Sequence, residues 1–405
     1  MNHSHSSHSH SSENSIKNGK LALWALAISA FGIGTTEFVP VGLLASIAQD
    51  FNIGITMAGL LISGYAVGVA VGAPILTALT NKVSRKSLLM ILMLVFIVGN
   101  IVAAISTSFE MLMVARFITA FSHGVFFSIG ATIAVQLVPP HKKASAIALM
   151  FTGLTVATVT GVPLGTFIGQ ALGWRATFLG VAILGVVAIA ASALLIPKNL
   201  QQSPPAKFTD MLKLITNGRL LLGFSVTALG YGGTFVAFTY LIPILEEVTK
   251  LDSKLVSIVL LVYGIAVAIG NSVGGRLANN NPARALFWMF IMHTVIMVVM
   301  TFMIPFKILG LISIIIMGLF AFMNVPGLQL YIVQLAEKYV PNAVDVASAL
   351  NIAAFNIGIA MGSIIGGMVI ETIGIVHTPW VGGIMVLGAV LLTAFSLHLE
   401  KRMSI

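Results

Sequence analysis

LALWALAISAFGIGTTEFVPVGLLASI, residues 21–47, is an apolar stretch that carries one charge, the carboxylate of Glu37. A helix rises 1.5 Å per residue, so about 20 such residues cross the ~30 Å hydrocarbon core of a bilayer. Stretches of this kind recur to the end of the chain, and none alternates in polarity as the strands of a membrane barrel do. The sequence therefore predicts an all-α integral membrane protein.

The composition of the whole chain agrees with this prediction. Of the 405 residues, 58% are hydrophobic and only 8% are charged, whereas a soluble domain carries about 25% charged residues. Cysteine is absent, which excludes disulfides and thiolate metal sites. No nucleophile–base pair, metal cluster or phosphate-binding loop is found, so we expect neither an enzyme nor a cofactor.

The distribution of basic residues predicts the orientation in the membrane. Of the 21 Lys and Arg residues, 16 fall on the face of the membrane that would carry both termini. The positive-inside rule makes that face cytoplasmic and accounts for the net charge of +9 without a nucleic-acid partner. The twelve predicted spans are residues 21–47, 57–80, 87–106, 110–137, 144–170, 175–197, 219–245, 255–278, 284–304, 308–336, 345–371 and 378–399.

The spans divide into two halves. We expect a disordered His- and Ser-rich cytoplasmic tail at residues 1–19 and an N-terminal six-helix half at 20–197. A polar cytoplasmic linker follows at 198–218, and a C-terminal six-helix half at 219–400. Shifted by 198 residues, YAVGVAVG (65–72) falls on YGIAVAIG of the second half. Two repeated halves of six spans indicate a transporter with its substrate site between the halves.

Away from the span ends, the N-terminal half carries three ionisable residues that have no counterpart in the repeat: Glu37, Arg116 and His123. Ionisable groups in a membrane are costly, usually pair, and often mark function. Burial and a neighbouring guanidinium act in opposite directions on the pKa of a carboxyl group. Glu37 beside Arg116 could therefore load and release a proton, with His123 as relay or substrate contact. A purely structural ion pair and direct substrate binding remain alternatives.

Other residues are candidates for substrate binding or gating. Small residues recur every four positions in the fifth span, from Gly153 to Gly169, and form a smooth strip at the predicted interface between the halves. Pro163 weakens the hydrogen-bond ladder there, as a gate would require. Aromatic and amide side chains in cavity positions could bind substrate, with interhelical hydrogen bonding as the alternative. These substrate candidates are Tyr65, Phe127, Phe235, Tyr263, Asn351 and Asn356.

Several segments resemble the major facilitator superfamily, of the twelve-helix drug:proton antiporter type. The matching segments are TTEFVPVGLL with IAQDF (35–51), SGYAVGVAVGAP (63–74), ARFITAFSHGVFF (115–127), GVPLGTFIGQALGWRATF (161–178) and DVASALNIAAFNIGIAMG (345–362). Within that family the chain looks most similar to the bacterial sugar-efflux and arabinose-efflux-permease branch.

The resemblance implies roles for particular residues. Arg116 stands at the arginine associated with proton transfer, and Gly161, Pro163 and Gly165 stand in the antiporter motif. Arg85 and Lys86 stand in the loop-gating motif. Where that motif usually carries an aspartate, this chain has Asn81, and the repeat has Asn279, which leaves the usual charge relay incomplete.

The resemblance also implies an activity. We expect a monomeric proton-coupled antiporter of the bacterial cytoplasmic membrane that exports a sugar, a related metabolite or a drug by alternating access. A multidrug pump for amphipathic compounds is the alternative, and an uncoupled facilitator is a further one.

Overall fold

Helices make up the membrane part of the computed structural model, which describes residues 5–201 and 206–403. In a bilayer every backbone N–H and C=O must be paired within the protein, which a helix does by itself. The N-terminal half holds α1 (His5–Asp50), α2 (Ile55–Leu79), α3 (Arg85–Ala104), α4 (Phe109–Gln136), α5 (Lys143–Leu172) and α6 (Trp174–Leu195).

The linker contains one short helix, α7 (Phe208–Thr216). The C-terminal half consists of α8 (Gly218–Phe238), α9 (Leu241–Pro243), α10 (Ser253–Ala278), α11 (Pro282–Met303), α12 (Lys307–Ala321), α13 (Val325–Tyr339), α14 (Val344–Thr372) and α15 (Thr378–Met403).

Twelve spans of these described residues are long and apolar enough to cross a membrane, which confirms the predicted count. The end of the bundle at which α1 begins and α15 ends is called the terminal face below. The tail differs from its prediction, because α1 is helical from His5 onward. The tail holds no proline that would interrupt a helix, and residues 1–4 lie outside the described residues.

The tenth span is broken between α12 and α13. Pro326 has no N–H to donate to the Phe322 carbonyl, and the Val325 N–H bonds to that carbonyl instead, at 3.2 Å. In the other half, Gly173 adopts a φ of 87°, which lets α5 pass directly into α6. The break at Pro326 lies within one span, whereas Gly173 forms the turn between two consecutive spans.

The two halves meet along a few helices. α5 packs against α10, and α2 and α4 pack against α14, while α1 packs mainly against α5 and α6 within its own half. None of these main contacts between the halves involves α1, the helix that carries Glu37.

Candidate functional site

Pro40 and Thr36 on α1 provide a backbone hydrogen-bond acceptor for the buried Arg116. Proline cannot donate the hydrogen bond that the carbonyl four residues earlier would receive in a helix, so Pro40 leaves the Thr36 carbonyl without its helical donor. Arg116 Nη1 on α4 donates to that oxygen at 2.6 Å. The spacing of Thr36 and Pro40 is visible in the sequence, but the free carbonyl that it offers to Arg116 was not predicted.

Arg116 also contacts α2. Its Nε donates to the Leu61 carbonyl at 3.4 Å, and its guanidinium carbon lies 4.1 Å from the centre of the Tyr65 ring. The residue is 1% exposed, and its Nη2 has no hydrogen-bond partner among the described residues. Arg116 thus joins three helices and keeps one buried donor open.

Glu37 is paired differently from the prediction. No ion pair within 4.0 Å joins it to Arg116 among the described residues; instead its Oε2 lies 3.8 Å from Nδ1 of His123. The guanidinium is held by the Thr36 and Leu61 carbonyls, so Arg116 acts on the Glu37 carboxyl group through its charge and not through a direct contact. The Glu37 side chain is 24% exposed, so the carboxylate has access to the space between the halves.

His123 lies between a hydroxyl and a wall of rings. The hydroxyl of Tyr65 lies 3.1 Å from His123 Nδ1 and donates to it when the imidazole is neutral with its proton on Nε2. On its other side His123 contacts Phe127, with ring centres 4.9 Å apart, and Phe127 stacks on Phe151 at 5.0 Å. Tyr65 and Phe127, predicted to bind substrate, are here buried supports of His123.

Glu37, Tyr65, Arg116 and His123 form one cluster, called the polar cluster below. It combines a carboxyl group, a phenol, a guanidinium and an imidazole within a membrane-spanning half. A carboxyl group can exchange a proton with the space that it faces, and the buried guanidinium offers a charge to its ionised form. The cluster therefore has the chemical parts of a proton-coupled switch.

Aromatic residues of the C-terminal half face the polar cluster. Tyr231 lies close enough to Glu37 to interact with its charge, although the sequence analysis did not single it out. Its ring centre lies 5.1 Å from that of Phe235, and Phe235 lies 5.4 Å from Phe238. Phe238 stacks on Tyr263, whose buried hydroxyl has no partner among the described residues. The structure thus brings the predicted Phe235 and Tyr263 into one aromatic wall.

The two predicted asparagines of α14 behave as structural residues. Asn351 is fully buried, accepts a hydrogen bond from the Thr227 hydroxyl at 2.7 Å and donates to Gln329 Oε1 at 2.8 Å. Asn356 Nδ2 donates to the Ile352 carbonyl of its own helix at 2.9 Å. Interhelical and local hydrogen bonding, the alternative left open for these residues, describes their contacts here.

An ion pair joins the two halves at the terminal face. Arg85 Nη2 donates to both carboxylate oxygens of Asp345, at 2.9 and 3.0 Å. Thr132 donates its hydroxyl to Asp345 Oδ1 at 2.6 Å, and Ser128 donates to the Asp345 backbone carbonyl at 2.7 Å. Arg85, which the family resemblance predicts to act in gating, therefore has a partner 260 residues away in the chain that was not predicted from the sequence.

A second contact across the terminal face uses Asn279. Its Nδ2 donates to the Ser145 hydroxyl at 2.7 Å, and the Ser145 N–H donates to Asn279 Oδ1 at 3.0 Å. Asn279 needs no negative charge to make these bonds, which join α10 to α5. Asn81 instead reaches the linker carbonyl of Ala206 at 3.4 Å, and Lys86 donates to two carbonyls at the end of α6, those of Ala193 and Ile196.

The glycine strip of α5 faces α1 and not the other half, which corrects the prediction. A Cβ atom on Gly153 would lie 1.9 Å from the Ala27 carbonyl oxygen, and one on Gly165 would lie 2.8 Å from Val39. Gly161 is roomier, with Phe38 at 3.6 Å as its nearest neighbour. Pro163 is exposed. α5 does lie at the interface of the halves, but through a different face, which contacts α10.

Comparison with known proteins places this architecture in a family. The sequence profile of the Major Facilitator Superfamily matches residues 26–343. The uncharacterised MFS-type transporter YtbD of Bacillus subtilis (strain 168) is 58% identical, covering 94% of this chain and 96% of that protein. The inner membrane transport protein YdhP of Escherichia coli (strain K12) is 39% identical over 92% and 95%. A probable sugar efflux transporter of Helicobacter pylori (strain ATCC 700392 / 26695) is 31% identical over 90% and 92%.

Solved structures share the fold at low sequence identity. The human organic anion transporter MFSD10 (TETRAN) superposes with a TM-score of 0.75 at 13% identity, covering 93% of this chain and 99% of that one. The E. coli fucose:proton symporter FucP superposes with a TM-score of 0.74 at 16% identity, covering 92% and 98%. These likenesses concern the fold alone.

Proposed function

The chain belongs to the Major Facilitator Superfamily, and on that premise we propose that it exports a small organic solute in exchange for protons. Membership makes it a multi-pass inner-membrane transporter and not an enzyme. The positive-inside rule supports a cytoplasmic terminal face. The solute would then move from that face outward, by rocking of the two halves about a site between them.

The polar cluster is the proposed coupling site. In the conformation described, the Arg85–Asp345 ion pair closes the terminal face, and Glu37 is partly exposed between the halves. This is the state in which Glu37 takes a proton from outside. After the halves rock, the proton leaves to the cytoplasm and the carboxylate is ionised. One proton moving down 100 mV supplies about 2.3 kcal/mol to this cycle.

The open donor of Arg116 carries the proposal. Its Nη2 is buried and has no partner among the described residues, beside a carboxyl group that contacts His123. A buried unpaired donor on a charged group costs free energy. Ionised Glu37 would turn toward Nη2 and satisfy it, whereas neutral Glu37 would not. Proton loss would therefore select a different arrangement of α1 and α4 from the one described.

Two observations favour different substrate classes. The Helicobacter relative is named a probable sugar efflux transporter, which favours a sugar or related metabolite. The wall of Tyr231, Phe235, Phe238 and Tyr263 favours an amphipathic compound with an aromatic ring, as a multidrug pump would take. The Tyr263 hydroxyl, which has no partner among the described residues, offers a hydrogen bond to either class.

Proton movement in liposomes tests the proposal. Purified protein is reconstituted with a pH-sensitive dye inside, a pH gradient is imposed, and sugars or lipophilic cations are added in turn. We expect one class of compound to trigger proton movement, and Glu37→Gln to abolish it while substrate binding persists. Glu371→Gln, on an exposed residue near the end of α14, is the matched control.

The outcomes separate the alternatives. Coupling that survives in Glu37→Gln would exclude Glu37 as the proton carrier. If a labelled solute equilibrates in the wild type and no compound moves protons, the protein is a facilitator. In that case the polar cluster has a structural role, and the proton-coupled mechanism is wrong.

A further inference from the structure

A groove on the outside of the C-terminal half, at the terminal face, is separate from the polar cluster. It lies between α10, α11 and the end of α12 and has a volume of about 400 Å³. Its mouth is polar, with Asn280, Asn281 and Arg284, and its deeper part is apolar. A polar mouth above an apolar floor, at the edge of a membrane-spanning bundle, matches the order of groups in a phospholipid.

One face of α11 lines the groove from its polar mouth to its apolar end. Arg284, Trp288 and Met292 follow at intervals of four residues, which places their side chains on the same side of the helix. Eight residues separate Arg284 from Met292, about 12 Å along the helix axis. Trp288 is 60% exposed on this outward face, and Phe320 of α12 lines the opposite side. This depth accommodates a headgroup and the first part of an acyl chain.

The mouth of the groove is cationic and has no acidic residue near it in the chain. No Asp or Glu occurs from residue 253 to residue 336, a segment that holds Arg276 and Arg284. Arg284 is exposed and takes part in none of the ion pairs between described residues. Asn281 caps α11, because its Oδ1 accepts the backbone N–H of Arg284 at 2.9 Å.

We propose that this groove binds an anionic phospholipid from the leaflet at the terminal face. The Arg284 guanidinium contacts the lipid phosphate, the amides of Asn280 and Asn281 contact the polar headgroup, and Trp288 and Met292 contact the acyl chain. Tryptophan is favoured at the membrane interface, and basic groups near the surface attract anionic lipid. A zwitterionic lipid would fill the apolar part equally well, but its headgroup would be attracted less strongly to Arg284 at the mouth.

Quenching of Trp288 fluorescence measures the lipid in the groove directly. The full-length protein is reconstituted in vesicles of phosphatidylcholine with a minor fraction of phosphatidylglycerol. Bromine on an acyl chain quenches tryptophan fluorescence on contact. In one sample the phosphatidylglycerol is brominated, and in the other sample an equal amount of the phosphatidylcholine is brominated instead. The difference between the wild type and Trp288→Phe isolates the signal of this residue from those of the other three tryptophans.

We expect brominated phosphatidylglycerol to quench Trp288 with roughly fivefold higher apparent affinity than brominated phosphatidylcholine, about the effect of one basic group at a membrane surface. Arg284→Gln should remove this preference, and Arg284→Lys should retain most of it. Arg276→Gln is the matched control: it removes the same charge from an exposed position in the last turn of α10, outside the groove lining.

Three results would overturn the proposal. Equal quenching by the two lipids would show that the groove does not select an anionic headgroup. If Arg276→Gln and Arg284→Gln lose the preference for phosphatidylglycerol to the same extent, the preference comes from the overall positive charge of the terminal face and not from the groove. Protection of Trp288 from both brominated lipids would mean that another protein surface, such as a second copy of the chain, covers the groove.

Discussion

The ion pair between Arg85 and Asp345 should hold the terminal face closed, and Asp345→Asn should open it. The carboxylate accepts two contacts from Arg85 Nη2 and one hydrogen bond from Thr132, with the Arg85 side chain 4% exposed and that of Asp345 19%. The asparagine keeps the shape and loses the charge. A hydrogen bond to a charged group contributes about 1.5–3 kcal/mol.

That free energy sets the expected population change. Because 1.4 kcal/mol corresponds to a factor of ten, the ratio of open to closed molecules should rise roughly tenfold to a hundredfold. The chain contains no cysteine, so spin labels can be attached to Lys142→Cys and Lys338→Cys without removing native thiols. These exposed positions lie on opposite halves at the terminal face, and the distance distribution between the labels reports opening.

A second carboxylate provides the control. Asp50 pairs with Arg175 at 2.6 Å, but both residues belong to the same half, and their side chains are 42% and 40% exposed. Exposed pairs of this kind contribute about 0–1 kcal/mol, so Asp50→Asn should leave the distance distribution unchanged. If Asp345→Asn gives the same distribution as Asp50→Asn, the Arg85–Asp345 ion pair does not decide which state is populated.

Three further predictions concern packing and the buried polar residues. Gly153→Ala should lower the melting temperature much more than Gly161→Ala, since its Cβ would meet the Ala27 carbonyl at 1.9 Å and overpacking costs about 1–3 kcal/mol; equal melting temperatures would refute the close α1–α5 contact. Asn351→Leu should lower the free energy of unfolding by about 1–3 kcal/mol for each partner left unpaired and should not change substrate affinity. Unchanged stability together with a lower substrate affinity would make Asn351 a binding residue. Arg116→Lys should abolish transport in a folded protein, because one ammonium cannot reach both carbonyls that the guanidinium holds; transport at the wild-type rate would contradict this role.

The sequence by itself determined the number and position of the membrane spans and the ionisable residues within them. Hydropathy is a local property of the chain, so twelve apolar stretches predict twelve spans wherever they pack, and the observed spans agree with them closely. The count of basic residues on each face and the repeat at 198 residues are likewise readable without contacts. Glu37, Arg116 and His123 stood out for the same reason, since a charge in an apolar stretch needs no structure to be noticed.

Only the tertiary structure decided the partners of these residues. Arg116 was expected to pair with Glu37, but the carbonyl that Pro40 leaves open on Thr36 holds its guanidinium, and Glu37 faces His123. Asp345 became the partner of Arg85 although 260 residues separate them. Residues on different helices at similar depth have several possible partners. The choice among them depends on the rotation of each helix about its axis, which packing across the whole bundle sets and no local pattern encodes.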